Sequence, residues 1–178
     1  MSPAAEAEIR VCVAVGSNIK PLKHVSAALE RLAAETPIEG LSAFYWCPAS
    51  ERAGQPLFLN GACCFRTAQS PRELKYGLLR FIEEAEGRVR TADPHAPRSL
   101  DLDIALYGDW VVNEQGLTIP DPEIRTRSFL AVPIAEAWPG VTLPDTGESV
   151  GRLAAALDAS DLKRDAAFTQ QMQQRFLT

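Results

Sequence analysis

The alternation of apolar and polar positions divides the chain into short strands and amphipathic helices. Ile9 to Val15 alternates and is rich in β-branched residues, so it reads as a strand that ends at Gly16-Ser17-Asn18. From Leu22 to Ala34 the apolar residues Leu22, Val25, Ala28, Leu29 and Leu32 recur at helical spacing, with Lys23, Glu30 and Arg31 on the other side. Leu41 to Cys47 predicts a second strand, and Pro48 to Pro56 a loop with Gly54 inside it. Phe58 to Arg66 resumes a strand in which Asn60 interrupts the apolar pattern, so that amide needs a partner from backbone or from a ligand's polar edge. Ser70, Pro71 and Glu73 together mark a helix start, and the helix is expected to run to about Glu86 before Gly87 stops it.

Pro97 to Ile104 reads as a strand whose period of two sends Leu100, Leu102 and Ile104 to one face and Asp101 with Asp103 to the other, roughly 7 Å apart. Val111–Val112 and Leu117–Ile119, around the turn Asn113–Gly116, predict a hairpin. Arg125-Thr126-Arg127 leads into an apolar helix with Phe129, Leu130, Val132 and Ile134, which Pro133 should kink or shorten. Trp138 to Gly147 is turn-rich, Val150 to Leu157 a short helix, and Asp161 to Thr178 a polar helix with few core-forming positions. The order of elements suggests an α+β protein, a ferredoxin-like αβα sandwich with a mainly antiparallel sheet and an appended hairpin. On this reading residues 1–8 are a flexible tail, 9–160 a single domain, and 161–178 a C-terminal helical extension.

Composition narrows the setting. A chain of 178 residues, 46% hydrophobic, is long enough for one buried core and short for two. The net charge of -5 argues against a general nucleic-acid surface, which needs many phosphate-neutralising cations. No apolar run approaches the ~20 residues of a membrane span, and Met1 to Glu8 lacks the basic start and apolar core of a signal peptide, so a cytoplasmic protein is expected. Cys12, Cys47, Cys63 and Cys64 lie in apolar strand-like contexts with only His24 and His95 as imidazole partners, which favours buried thiols over zinc or a disulfide.

The chemistry points to Asp101 and Asp103. Two carboxylates side by side repel and raise each other's pKa unless cations sit between them. Hard divalent ions such as Mg2+ suit that pair, taking carboxylate oxygens together with substrate phosphate oxygens, while Arg88 and Arg90 add positive charge. A bare Asp-x-Asp also fits the solvent face of an amphipathic strand. Glu83 and Glu84 fall near a helix end that disfavours anions, so one of them is expected to hold an arginine unless both are simply solvated.

A resemblance rests on several motifs in one order. They are Gly16-Ser17-Asn18, Phe44-Tyr45, Gln55-Pro56 with Phe58-Leu59-Asn60, Gly87-Arg88-Val89-Arg90, Pro97 to Ile104, Leu106-Tyr107-Gly108-Asp109, Leu117-Thr118-Ile119-Pro120, and Arg127-Ser128-Phe129-Leu130 with Pro133. Over roughly Ile9 to Leu143 the chain resembles the 6-hydroxymethyl-7,8-dihydropterin pyrophosphokinases of folate biosynthesis. The resemblance implies Mg-dependent transfer of pyrophosphate from ATP to the pterin's hydroxymethyl group, with release of AMP and two Mg2+ ions on Asp101 and Asp103. It implies catalytic roles for Arg88, Arg98, Asp101 and Asp103, and a pterin site of Cys47, Pro48, Phe58, Asn60 and Phe129. The nucleotide side would comprise Glu83, Arg88, Arg98, Ile104, Thr118, Asp121 and Arg127, and the protein would be monomeric, with no nucleic-acid or membrane partner.

Three positions depart from the family's pattern. Asp121 stands where histidine is usual near the nucleotide phosphates, His95 where tryptophan is common, and Cys47 where threonine is more frequent. An anion beside phosphates is unfavourable unless it reaches a metal or an arginine, so Asp121 either faces the triphosphate at a cost or is already paired with Arg125 or Arg127, one of which is then its expected partner. Two other classes fit parts of the sequence: a catalytically weak pterin- or nucleotide-binding paralogue, and a ferredoxin-like nucleic-acid-binding module, which the acidic balance disfavours.

Overall fold

The computed structural model describes residues 7–49 and 52–177. Its first strand, β1 (Ile9–Ser17), pairs antiparallel with β4 (Phe58–Thr67) on one side and β5 (Asp101–Tyr107) on the other. β2 (Ile38–Leu41) and β3 (Tyr45–Cys47) both pair with β4, giving a six-stranded sheet in the order β5-β1-β4-β3-β8, with β2 beside β4. β8 (Lys163–Arg164) closes the far side on β3. β6 (Val112–Glu114) and β7 (Leu117–Ile119) form the separate expected hairpin.

Helices cover both faces because alternate positions of β1 and β4 are apolar on both sides. Val11, Val13 and Val15 pack with Val25, Leu29 and Leu32 of α1 (Pro21–Glu35), and with Leu74, Leu79 and Ile82 of the second helical segment. Cys12, Cys64 and Leu106 face the other layer, where α4 (Ser128–Ala137) contributes Leu130, Ala131 and Ile134, and α5 (Val150–Ala156) contributes Val150. All four cysteines are free and buried. No helix among the described residues is long and apolar enough to cross a membrane.

The second helix starts as expected. Ser70 accepts from the Glu73 amide and Glu73 receives the Ser70 amide, a complete capping box. Its interior holds a feature that the periodicity did not predict. α2 (Pro71–Glu73) passes into a π-helical segment, Leu74–Leu79, before α3 (Arg80–Ala85) resumes the ordinary pitch.

Three expected boundaries move. The strand read over 41–47 is broken into β2 and β3, because between them the Ala43 and Phe44 amides go to the Glu136 and Thr169 side chains; within β2, Gly40 passes so close to α4 that a Cβ there would lie 2.1 Å from the Ala137 carbonyl oxygen. The strand read from Pro97 begins only at Asp101, since the preceding residues are bonded to the β1 turn instead. The final segment is not one polar helix. After β8, α6 (Ala166–Phe176) buries Phe168 and Met172 in the core, and Thr169 accepts the Phe44 amide at 2.9 Å. Pro133 lies inside α4, which is ten residues long.

Candidate active site

Asp101 and Asp103 stand where two cavities meet. Period-two alternation on β5 points both away from Leu100, Leu102 and Ile104, all of which are buried. One cavity, of about 320 Å3, is lined by Phe58 and Asn60 of β4, Phe129 of α4, Cys47 and Pro48 at the end of β3, and Arg98, Asp101, Asp103 and Asp121. The other, of about 280 Å3, is far more polar: Lys75, Arg80, Arg88, Arg90 and Glu83 surround the same two aspartates.

Arginines grip Asp101 from both sides. Arg88 donates to its Oδ1 at 3.1 Å and to the Leu100 carbonyl at 2.6 Å, while Arg98 donates to Oδ2 at 2.6 Å and to the Pro94 carbonyl. Asp103 is less well served: among the described residues its ion pair is with Lys75, at 3.7 Å. Its carboxyl is pushed up to about 7, first by surrounding protein and then by the charge of Asp101, against the pull of Lys75. Nearly half of its side chain, 47%, still opens to the cleft, so solvent and cations can reach it. Two neighbouring carboxylates, one of them with an open face, fit a divalent cation bound through oxygen. Among the described residues no three His, Cys, Asp or Glu side chains converge as a metal cage, which leaves further ligands to come from substrate or water.

Glu83 is the hinge of the arginine cluster. Only 3% exposed, it takes Arg90 at 2.6 Å, lies 3.5 Å from Arg88, and accepts the Leu102 amide of β5 at 2.9 Å. The bond to Glu83 is the main reason that the Arg90 guanidinium holds its proton more tightly than usual.

The aromatic cavity is shaped by close approaches. Asn60 donates to Cys47 Sγ at 2.8 Å, and its Oδ1 lies so near β1 that a Cβ on Gly16 would be 2.9 Å away, so any side chain at position 16 would push the Asn60 amide aside. Burial pushes the Cys47 thiol up to about 11, although the Asn60 bond pulls the other way, so Cys47 is neutral in the cavity wall. Asn18 then ties two loops together: its Oδ1 accepts the Arg98 amide at 2.8 Å, and its Nδ2 donates to Gln55 Oε1 at 3.1 Å. Gln55 in turn donates to the His95 carbonyl at 2.6 Å, and Arg52 pairs with Asp93 at 2.8 Å, so both loops meet across the cavity mouth.

Residues 12–139 match the family described as 7,8-dihydro-6-hydroxymethylpterin-pyrophosphokinase, or HPPK. The chain belongs to the HPPK family. It is 36% identical over 151 residues to a 2-amino-4-hydroxy-6-hydroxymethyldihydropteridine pyrophosphokinase of Synechocystis, covering 83% of this chain and 76% of that protein. With the enzyme of the same name from Pseudomonas aeruginosa it shares 36% over 159 residues, 87% of this chain and 96% of the relative. Among solved structures, Plasmodium falciparum HPPK-DHPS superposes with a TM-score of 0.64 at 9% identity, over 99% of this chain and 47% of the other. The chain thus spans slightly less than half of that longer protein, and at such low identity the likeness concerns the fold. HPPK membership makes the chain an ATP-dependent pyrophosphokinase of folate synthesis.

Within this HPPK chain the sequence-derived site residues separate into three groups. Cys47, Pro48, Phe58, Asn60, Arg98, Asp101, Asp103, Asp121 and Phe129 share the first cavity, and Glu83 and Arg88 the second. Ile104 turns into the core, Thr118 faces solvent on the hairpin, and Arg127 lies 3.8 Å from Glu123 at the start of α4, so these three stand outside both linings. Asp121 caps the 3-10 turn Pro122–Arg125 by accepting the Glu123 amide at 2.9 Å, and its own amide donates to the Ala105 carbonyl at 2.9 Å. Burial keeps its carboxyl above the ordinary range despite that bond and Lys75. Arg125, one expected partner of Asp121, is instead held by Asp145 at 2.8 Å and Glu148 at 3.1 Å. Lys75 and Arg80 carry no motif that chemistry alone would single out, Asn18 stands in the Gly16-Ser17-Asn18 motif without a role that the motif alone assigns, and only folding shows where these three lie.

Proposed function

We propose that the aromatic cavity takes the reduced pterin, the polar cavity takes the triphosphate of ATP, and Asp101 and Asp103 sit between the two reacting groups. One observation carries this reading: the same two carboxylates line both cavities, so a group passing from one to the other must cross them. Phe58 and Phe129 suit the faces of a flat heterocycle, and Asn60, with the amide's remaining donor and acceptor capacity, suits its polar edge.

In the reaction the hydroxymethyl oxygen bonds to the β-phosphorus of ATP while the bond from that phosphorus to the α,β-bridging oxygen breaks. AMP leaves with the bridging oxygen, and the hydroxyl proton passes to water. Such transfer depends on alignment and charge neutralisation more than on covalent participation by the protein. Arg88 and Arg98 are already aimed by their carbonyl and Asp101 bonds and would exchange part of that pairing for phosphate oxygens. Mg2+ ions, two by this reading, would be held by Asp101 and Asp103, and would neutralise phosphate charge and fix the in-line geometry. The strand order β5-β1-β4-β3 with helices between supports a ferredoxin-like description of the sheet. We further read the chain as a cytoplasmic monomer with no nucleic-acid or membrane partner.

The test is to incubate the protein with Mg2+, ATP and 6-hydroxymethyl-7,8-dihydropterin and to analyse the nucleotides. AMP with pterin diphosphate is expected; ADP, or no turnover, overturns the reading. Asp101→Ala and Asp103→Ala are each expected to lower the rate on the order of a hundredfold or more while the fold survives. Substantial activity in both variants rules out the metal assignment.

A further inference from the structure

The π-helical segment Leu74–Leu79 brings a lysine to the reacting carboxylates. The Arg80 amide donates to the Lys75 carbonyl five residues back, the bond that defines this wider turn. In an ordinary α-helix Lys75 and Glu83, eight residues apart, would point about 80° away from each other. The wider turn absorbs about one extra residue and rotates them back towards one face. Both now line the polar cavity, with Arg80, Arg88 and Arg90.

The lysine is held ready on its stem. Its Nζ donates to the Gly116 carbonyl at 2.9 Å and lies 3.7 Å from Asp103 Oδ1. The neighbouring Tyr76 donates to the same carbonyl at 3.2 Å, which anchors the turn to the β6–β7 hairpin. Asp101 is shared by two arginines, whereas among the described residues Lys75 alone pairs with Asp103, and its charge is also felt by Asp121. Asp121, in the lining of the neighbouring aromatic cavity, adds a third negative charge beside Asp101 and Asp103, the two aspartates that face both cavities, and Lys75 is the cation that its carboxyl feels.

We infer that Lys75 is a phosphate-binding residue of this chain, whose ammonium exchanges Asp103 for a polyphosphate oxygen and offsets the charge of Asp121. The inference rests on the pyrophosphokinase reading above and adds the residue that adapts the nucleotide side to an aspartate at position 121. Lysine acts here as a mobile point charge, in contrast to the fixed forks of Arg88 and Arg98.

The test is calorimetric binding of a nonhydrolysable ATP analogue with Mg2+, without pterin, to the wild type, Lys75→Met and Lys75→Arg. Loss of a charge-assisted phosphate contact is expected to weaken Lys75→Met on the order of tenfold, with a smaller salt dependence, while Lys75→Arg keeps most of the affinity. Asp121→Asn in the Lys75→Met background should recover part of the loss, and pterin binding should not change. If Lys75→Met does not fold, Lys75→Gln carries the same comparison. Unchanged or tighter analogue binding marks the lysine as a mere counter-ion of Asp103 and overturns the inference. Product analysis of the wild type keeps the two claims apart: AMP formation with unchanged analogue binding refutes the role of Lys75 alone, and absence of AMP refutes the pyrophosphokinase reading.

Discussion

Asn18→Ala removes the clamp between the β1 turn and the loop that carries Arg98. Asn18 is almost fully buried, and two of its side-chain bonds are short: Arg98 N at 2.8 Å and Gln55 Oε1 at 3.1 Å. Each is worth about 1 kcal/mol net, and leaving the Arg98 amide unpaired adds roughly another 1 kcal/mol. The backbone bond from the Asn18 amide to the Arg98 carbonyl at 3.1 Å remains, so the loop stays tethered. The total is about 2–3 kcal/mol, which for a domain of this size lowers the melting temperature by roughly 5–10 °C. The effect on transfer should exceed the effect on folding, because the guanidinium of Arg98 holds Asp101 at 2.6 Å and follows its backbone. A displacement of about 1 Å there costs on the order of a hundredfold in rate. Thermal melts monitored by circular dichroism and steady-state AMP release check both. A melting temperature within about 1 °C of the wild type refutes the clamp, and unchanged turnover in a destabilised variant refutes its link to Arg98.

Asn60→Leu is expected to weaken pterin binding by about 2 kcal/mol with little effect on an ATP analogue, since a ligand's buried polar edge loses its partner; equal losses for both ligands would mark Asn60 as structural. Thr169→Val leaves the buried Phe44 amide unpaired and should cost about 1–3 kcal/mol in a denaturant titration, and no change would show that α6 is docked by its apolar residues alone. Glu86 gives a pH dependence: burial alone would raise its carboxyl, but bonds from His24 and Arg31, both at 3.0 Å, more than offset that and hold it below the ordinary 4.5. Its contribution is therefore complete above that value and drains away as pH falls through the depressed one. Urea midpoints at pH 6 and pH 4 should separate the wild type from Glu86→Gln mainly at the higher pH, and a gap that widens on acidification would reverse the sign of this argument.

Legibility followed the range of the interaction. The Asp101–Asp103 face, the capping box at Ser70 and the helix α1 depend on neighbours within four residues, and the periodicities of 2 and 3.6 expose them directly. The break between β2 and β3 falls where Glu136 and Thr169, 93 and 125 residues away, take the Ala43 and Phe44 amides, and an apolar run from Leu41 to Cys47 carries no trace of them. The π-helical turn escaped because the apolar residues around it satisfy an ordinary helical pattern closely enough. Phe168 and Met172 were visible at a spacing of four, but the surrounding glutamines outweighed them, and the burial of α6 was missed. Of the site itself, the residues with a motif were legible, while Lys75 and Arg80, and the clamp that Asn18 makes from within its motif, depend on where distant elements put them.

β5 lies at the end of its sheet, with β1 on one side and, among the described residues, no strand on the other. An outermost strand offers unpaired amides and carbonyls to any passing chain, and proteins usually blunt that side with charge, brevity or cover. At the opposite end brevity serves, since β8 is only Lys163–Arg164. Here the ligand-facing groups serve instead: Arg88 takes the Leu100 carbonyl, Glu83 the Leu102 amide, and the Asp121 amide the Ala105 carbonyl. The groups that hold Asp101 and Asp103 in register are also those that keep the strand from recruiting a second copy of itself. Substitutions of Glu83 or Arg88 therefore expose a template for aggregation along with a missing charge, and the solubility of such variants reports on the site as directly as their chemistry.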